Sequence, residues 1–200
     1  REFIDLMRRL WRGETIKGYE GALGIYPVLS VADYLDEELP ILYVGFGPKS
    51  LEHAGQYYDG IHLHTFMNDK AMSDSIARVR AGEQLAERQQ GSVLNWSVYA
   101  TCCDVSEEIY LKYIIARLAT YLQIPAYGDM LAEINGWDSE VLEAFRQSEA
   151  VRNVGGLIDS IATTAQLAEI EKVIPETWRP AAVGNAKECA RSWLTQFEAG

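Results

Sequence analysis

Two short apolar runs flank a helical stretch between positions 41 and 64, and this is the clearest pattern in the chain. Residues 41–44 are apolar without alternation, which predicts a strand buried on both faces, as in a parallel sheet. Residues 51–55 have the spacing of a short amphipathic helix, and residues 60–64 form the second apolar run. The pattern therefore predicts a parallel strand–helix–strand unit.

The first of these strands leads into a Gly-Phe-Gly-Pro sequence at residues 45–48. Gly45 and Gly47 let the backbone turn sharply at the carboxyl end of the strand, and Pro48 suits the first turn of the following helix. Free amide groups and the positive end of the helix would then converge, which favours binding of a phosphate or a carboxylate. Turns of this kind also occur as tight connections only, so the sequence leaves both interpretations open.

The flanking sequence predicts more helices and one more strand. The chain opens with helical spacing that ends at Gly13, and residues 14–38 are predicted to be a polar, loop-like passage. Residues 69–89 keep one apolar face, which predicts a second crossover helix. Alternation at residues 93–100 predicts a third strand. This order of strands and helices is typical of a (β/α) barrel or of a doubly wound sheet.

The last hundred residues are predicted to be mainly helical. A helix from Asp104 to about Leu122 is apolar over much of its circumference, so we expect burial on more than one side. Residues 125–153 break the strand–helix rhythm into short helical pieces. Three capping-box patterns mark helix starts, namely Asp104 with Glu107, Thr163 with Gln166, and Asn185 with Glu188.

Charge and composition exclude several classes of protein. The net charge is −11 and the 18 basic residues are dispersed, which argues against a nucleic-acid or anionic-membrane surface. No apolar run is long enough to span a bilayer, so we expect a cytoplasmic protein. Cys102, Cys103 and Cys189 form no disulfide pattern and are expected to be reduced thiols. No cluster of His and Cys has the spacing of metal ligands, so we expect no metal site.

Several sequence pieces occur in an order and spacing that carry a family resemblance. They are Leu6 to Gly13 with its Trp11-Arg12-Gly13 end, Pro40-Ile41 to Gly47-Pro48-Lys49, Leu51-Glu52 with Ala54-Gly55, Asp59-Gly60-Ile61, Asn135-Gly136-Trp137, and Gly184-Asn185-Ala186. Together they resemble the second half of the bacterial-luciferase-like flavin- or F420-dependent oxidoreductases. Within that family they are most similar to the actinobacterial branch that depends on coenzyme F420. The resemblance covers nearly the whole chain.

The resemblance implies an incomplete (β/α)8 TIM barrel. Residues 41–45, 60–64 and 93–101 would be the fifth, sixth and seventh strands, and residues 1–200 would be part of a single barrel domain. The first four strands would precede Arg1 and the eighth would follow Gly200. A helical segment at about 123–162 would be an insertion before the last helix. In such barrels the ligand site lies at the carboxyl ends of the strands.

The resemblance also implies residues for the cofactor. The cofactor phosphate would lie against amides of the turn at Gly45, Phe46 and Gly47 and against the side chains of His64 and Thr65. The sequence departs from the family pattern at two places. Phe46 stands where F420-binding relatives often have glycine, and residues 66–68 contain no lysine where those relatives often have one.

The substrate side is less defined by the resemblance. Tyr127 and Trp137 in the inserted segment would cap the substrate cavity, and Cys102, at the end of a predicted strand, would line the pocket. Catalytic acid or base groups usually come from the first half of such barrels, so no catalytic residue is assigned in this chain. Family members are commonly dimers, which makes a homodimer the expectation for the full-length protein.

Three functional hypotheses follow from the resemblance. The first is an oxidoreductase that transfers hydride between coenzyme F420 and a small organic substrate. The second is an FMN-dependent monooxygenase of the same fold, in which the reduced flavin activates oxygen. The third is a barrel homologue that has lost catalysis and acts as a binding protein, an interpretation that the missing lysine favours.

Overall fold

A computed structural model describes residues 1–31, 37 and 39–200. By its internal contacts the chain divides into two compact units, one made of residues 1–62 with 78–96 and the other of residues 63–77 with 97–200. Part of the predicted loop-like passage, at residues 32–36 and 38, lies outside the described residues.

The first unit begins with helix α1, Glu2–Trp11, and a hairpin of strands β1, Ile16–Gly21, and β2, Gly24–Leu29. The two strands are antiparallel, and the rings of Tyr19 and Tyr26 stack across them. The prediction of a loop-like passage was therefore wrong for this stretch. The hairpin is held mainly by its backbone ladder and leaves side chains such as Ile25 74% exposed, so it carries little burial pattern in the sequence.

A three-stranded parallel sheet forms the rest of this unit's strand structure. Its order is β3, Leu42–Val44, then β4, Gly60–His62, then β5, Leu94–Asn95. Helix α2, Pro48–Tyr57, connects β3 to β4, which confirms the predicted strand–helix–strand unit. The expected burial of β3 on both faces was wrong: Val44 is 72% exposed, so the described residues do not cover its side chain.

Helix α3, Asp69–Leu85, corresponds to the predicted second crossover helix, and Glu83 near its end is completely buried. The Glu83 carboxylate accepts hydrogen bonds from the backbone N–H groups of Gly91 and Val93 and from the Arg80 guanidinium. Burial alone would raise the pKa of Glu83, but these donors outweigh it and the pKa is lowered. Glu83 is thus an ionised residue that ties the loop before β5 to α3.

The second unit contains a two-stranded parallel sheet of β6, Thr101–Cys103, and β7, Ala182–Gly184. The strand predicted at 93–101 is therefore two short strands, β5 and β6, because β4 ends at His62 and offers no ladder partner beyond Asn95. Strand β7 was not predicted. It pairs with β6, which is part of the predicted seventh strand, whereas the next strand was expected only after Gly200. Its three residues are too few to give a recognisable pattern.

The helix predicted from Asp104 starts later and is not uniform. Helix α4, Glu107–Tyr110, is followed by a π-helical turn, Leu111–Ile115, and by α5, Ala116–Gln123. Ser106 caps α4 by accepting a hydrogen bond from the Ile109 amide, so the predicted Asp104–Glu107 capping box was wrong. Asp104 has a φ of 50°, which places it in the turn before the helix.

The other helices of this unit include the predicted short pieces and both remaining capping boxes, at Thr163 and Asn185. They are α6, Tyr127–Asn135, α7, Ser139–Gln147, α8, Glu149–Arg152, α9, Ile158–Ile161, α10, Thr164–Val173, and α11, Ala186–Ala199. One hydrophobic core built around Leu118 and Phe145 joins α5 to helices α6 to α10. Within the part of the chain that the structure describes, no helix has both the length and the apolar character needed to cross a bilayer.

Candidate functional site

The turn after β3 contains the predicted amide donors of the cofactor site. Gly45 has a φ of 158°, and a Cβ atom there would lie 2.7 Å from the ring of Tyr43, so a side chain would be strained and crowded. Gly47 has a φ of −68° and ψ of 140°, an extended conformation open to any residue. Of the two glycines that the sequence analysis assigned to the turn, Gly45 alone is required by its conformation.

Helix α2 begins directly after this turn without a side-chain cap. Gly47 is its N-cap residue and Pro48, which has no N–H, occupies the first turn. The amides of Lys49 and Ser50 are therefore first-turn donors with no intrahelical acceptor. A Cβ atom on Gly47 would lie 3.7 Å from the Ser50 hydroxyl oxygen, so this hydroxyl is also at the helix start. Sequence reasoning missed Ser50, although a serine two residues after Pro48 was visible.

His64 lies in the second unit and is buried among aromatic rings. Its Nδ1 accepts a hydrogen bond of 3.1 Å from the Phe66 amide, and its ring centroid is 4.8 Å from that of Tyr121 and 5.8 Å from that of Tyr127. Burial lowers the pKa of His64 from 6.5 to about 4, so the imidazole is neutral at pH 7. Because Nδ1 is an acceptor, the proton is on Nε2. His64 thus offers a donor but no positive charge.

The segment that carries His64 and Thr65 is held by Asn135 at the end of α6. Thr65 is half-buried in a turn. Three residues later in the segment, the Asn68 amide donates a 2.7 Å hydrogen bond to Asn135 Oδ1, and Asn135 Nδ2 donates to the carbonyl oxygen of Phe66 at 3.0 Å. Sequence reasoning missed this role for Asn135, because the contact joins positions 67 residues apart.

The predicted substrate residues occupy two environments. Tyr127 stacks on Tyr121, with ring centroids 5.2 Å apart, in the aromatic group around His64. Trp137 stacks on Trp178 at 5.0 Å with nearly parallel planes, and it packs on the same hydrophobic core to which Cys102 belongs. Cys102 is 4% exposed, and burial raises the pKa of its thiol. The substrate role of these residues stays a prediction.

Thiols and carboxylates do not converge on a metal site in the described ranges 1–31 and 39–200 or at residue 37. No group of three or more His, Cys, Asp and Glu side chains there could hold a metal ion. All three cysteines are free thiols, with Cys102 and Cys189 buried and Cys103 exposed.

An open cavity of about 540 Å³ lies elsewhere in the second unit. Its lining includes Gln123, Glu143, Arg146 and Arg152. Arg146 is engaged there, because its guanidinium donates to the carbonyl oxygen of Leu122 and forms an ion pair with the Asp129 carboxylate. The cavity contains none of the predicted substrate residues.

Comparison with known proteins places these observations in a family. The family model for luciferase-like monooxygenases matches residues 1–200. Among solved structures, the coenzyme F420-dependent tetrahydromethanopterin reductase from Methanopyrus kandleri is similar, with a TM-score of 0.70 and 16% identity over 100% of this chain and 54% of that one.

A second similar structure is an F420-dependent secondary alcohol dehydrogenase in complex with an F420-acetone adduct. Its TM-score is 0.57 with 16% identity, over 100% of this chain and 52% of that one. The chain thus spans about half the length of these two proteins. At this identity the likeness concerns the fold, and it agrees with an incomplete luciferase-like TIM barrel. The match of the family model over residues 1–200 shows that this chain belongs to the luciferase-like monooxygenase family.

Proposed function

We propose that this chain is part of an oxidoreductase that transfers hydride between coenzyme F420 and a small organic substrate. The observation that carries the proposal is the uncapped start of α2, where a glycine turn at the carboxyl end of a parallel strand leaves amide donors pointing out of the helix. The carboxyl ends of the strands are where TIM barrels bind their ligands. Both solved structures described above are of F420-dependent enzymes, which supports F420 as the cofactor.

The donors at the start of α2 suit a phosphate group. The Lys49 and Ser50 amides, the Ser50 hydroxyl and the positive end of a ten-residue helix all favour an anion. The absence of a side chain on Gly47 leaves the approach to these donors open. Lys49 is the nearest lysine in sequence, and it is exposed. Neutralisation of the phosphate charge would therefore depend mainly on the helix and its amides rather than on a buried lysine.

Each group predicted to contact the cofactor has a separate task. F420, when bound, would supply the carbon that carries the hydride. The donors of α2 would fix the phosphate end of the cofactor, which sets the position of its ring. Neutral His64 would offer an Nε2–H donor without attracting a counterion, and the rings of Tyr121 and Tyr127 keep its surroundings apolar. A residue that moves a proton to or from the substrate is not assigned in this chain.

FMN is the second candidate cofactor, and the family match favours it specifically because that family is named for monooxygenases. FMN also ends in a phosphate, so the same α2 donors would serve it. The two functions differ in whether oxygen is consumed in the presence of the reduced cofactor.

The test is a titration of the intact protein that contains this chain with F420 and, separately, with FMN. We expect saturable binding of F420, with weaker binding of FMN, and loss of the oxidised deazaflavin absorbance when a suitable alcohol is supplied. Ser50→Ala should weaken F420 binding, because it removes one phosphate donor, whereas the control Ser73→Ala, at an exposed position on α3, should not. Binding of neither cofactor would contradict the proposal and favour the non-catalytic alternative.

A further inference from the structure

We infer that Asn135 is a positioning residue of the cofactor site, which fixes the conformation of the segment 64–68 and thereby the placement of His64 and Thr65. The inference rests on the proposed function, because it takes these two residues as cofactor contacts. It assigns a role in binding to a residue in the inserted helical segment, at a distance of 67 positions from the loop that it holds.

Asn135 uses its donors and its acceptors together. Its Oδ1 accepts from the Asn68 amide at 2.7 Å, and its Nδ2 donates to the carbonyl oxygens of Phe66 at 3.0 Å and of Leu131 at 2.9 Å. The carbonyl oxygen of Asn135 accepts from the Asn68 side-chain amide at 2.9 Å. Asn135 is 7% exposed, so these bonds form away from bulk water. Loss of the side chain would leave the buried carbonyl oxygen of Phe66 and the part-buried amide of Asn68 without these partners.

Two further hydrogen bonds hold the segment between His64 and Asn68. The Phe66 amide donates to His64 Nδ1, and the Asn68 side chain accepts from the Ala71 amide at 2.8 Å in the first turn of α3. The hydrogen bonds therefore link the imidazole to Phe66, Phe66 to Asn135, and Asn135 to Asn68. A change at Asn135 is transmitted to the orientation of the His64 ring through this series of bonds.

Helix α6 contacts the same segment at both of its ends. Tyr127 is the first residue of α6, and its ring is 5.8 Å from that of His64, while Asn135 is the last residue of the helix. The helix thus spans the segment as one rigid piece. Helix α6 would therefore do more than cover a cavity, because it would also fix the positions of the His64 and Thr65 side chains.

The experiment compares two ligands on the intact protein. F420 carries the phosphate, and its deazaflavin chromophore without the phosphate side chain is the matched probe. Asn135→Ala should raise the Kd of F420 about tenfold or more, because small displacements of positioning contacts cost that much. The Kd of the phosphate-free chromophore should stay within about twofold.

Two further variants separate positioning from simple destabilisation. Thr120→Val removes the buried 2.8 Å hydrogen bond from the Asp159 amide to the Thr120 hydroxyl, which lies in the same unit but does not bond to the segment 64–68. It should lower the melting temperature and leave both Kd values unchanged. Asn135→Asp keeps the acceptor for the Asn68 amide but turns a second oxygen toward the carbonyl oxygens of Phe66 and Leu131, so its Kd for F420 should rise at least as much as that of Asn135→Ala.

The outcomes distinguish the two proposals. If wild type binds F420 and Asn135→Ala binds it equally well, or if both ligands weaken to the same extent, the positioning role is overturned and the proposed function stands. If wild type binds neither F420 nor FMN, the proposed function fails and the positioning role fails with it. A selective loss for F420 in Asn135→Ala, absent in Thr120→Val, is the result expected.

Discussion

Gly55 and Gly82 lie against each other where helices α2 and α3 cross. A Cβ atom on Gly82 would be 2.0 Å from the carbonyl oxygen of Glu52, and one on Gly55 would be 2.1 Å from the carbonyl oxygen of Val79. The neighbouring atoms are backbone, which cannot rotate away as a side chain can. The two helices therefore approach to a distance that only glycine permits at this crossing.

Gly82→Ala should destabilise the protein by about 1–3 kcal/mol, because the added methyl group forces the two helices apart. Chemical denaturation followed by circular dichroism measures the change. Gly47→Ala is the matched control in α2, where the new methyl group meets only the Ser50 hydroxyl at 3.7 Å, and it should cost less than about 1 kcal/mol. Equal effects of the two substitutions would contradict the crossing argument.

Asp59→Ala should lower the free energy of unfolding by about 1–3 kcal/mol, since it removes two partners at once. The Asp59 carboxylate accepts a 2.6 Å hydrogen bond from the Arg8 guanidinium and a 2.8 Å bond from the Ile41 amide, and so ties α1 to the start of β3. Urea unfolding gives the measurement.

The control for this prediction is Asp74→Ala. Asp74 forms an exposed ion pair with Lys70 on α3, and its removal should cost at most about 0.5 kcal/mol. If Asp59→Ala costs no more than this control, the attachment of α1 through Asp59 contributes nothing to stability.

Stability should fall as the pH is lowered from 6.5 toward 4, because His64 has a lower pKa when folded than when unfolded. The folded pKa is about 4 and the ordinary value is 6.5, so the unfolded chain takes up the proton first. The stabilisation is complete above pH 6.5 and is lost as the pH falls toward 4, with a slope of up to about 1.4 kcal/mol per pH unit. Denaturant unfolding at several pH values above 5 measures the free energy of unfolding while most carboxyl groups stay ionised.

His64→Asn tests this assignment, because its side-chain oxygen can replace Nδ1 as the acceptor for the Phe66 amide but does not titrate. The slope between pH 6.5 and 5 should then largely disappear. His53→Asn should remove less of it, since burial lowers the pKa of His53 to a smaller extent. An unchanged slope in His64→Asn would show that other groups cause the pH dependence.

Alkylation of the native protein should modify Cys103 and spare the two buried thiols. Cys102 and Cys189 are 4% and 5% exposed. Partial desolvation, with the Asp104 carboxylate, raises the pKa of Cys103 above its usual 9.0, so the reaction should be slow at pH 7 and faster at higher pH. Mass spectrometry counts the labels, and Cys103→Ser should abolish native labelling. Modification of Cys102 before unfolding would contradict the described burial.

Local sequence patterns predicted the elements whose cause is local. Pro48 at a helix start and the capping boxes at Thr163 and Asn185 depend on residues within a few positions of each other. The parallel strand–helix–strand unit lies within residues 42–62. The family resemblance added the barrel. The same reasoning misplaced one cap, because Asp104 and Ser106 are both good N-cap residues two positions apart and only the φ of Asp104 decides between them.

Other features depend on contacts that local patterns do not contain. The β1–β2 hairpin buries few side chains, so Val28 and Ile25 gave no sign of a strand. In the sequence, Asn135 before Gly136 looks like an ordinary helix end. Its bonds to the segment after β4 follow from the tertiary fold. Ser50 is a candidate phosphate donor because of where α2 begins, which required the cap geometry to be known.

The π-helical turn at Leu111–Ile115 also bears on how the length of this chain can change. Such a turn holds one residue more than an α-helical turn, and Tyr113, which is 70% exposed, lies in its middle. Deletion of Tyr113 would let α4 continue straight into α5 and would leave Ile114 and Ile115 in place. Against a relative whose helix lacks such a turn, a gap-free alignment would assign the wrong partners to every residue on one side of it.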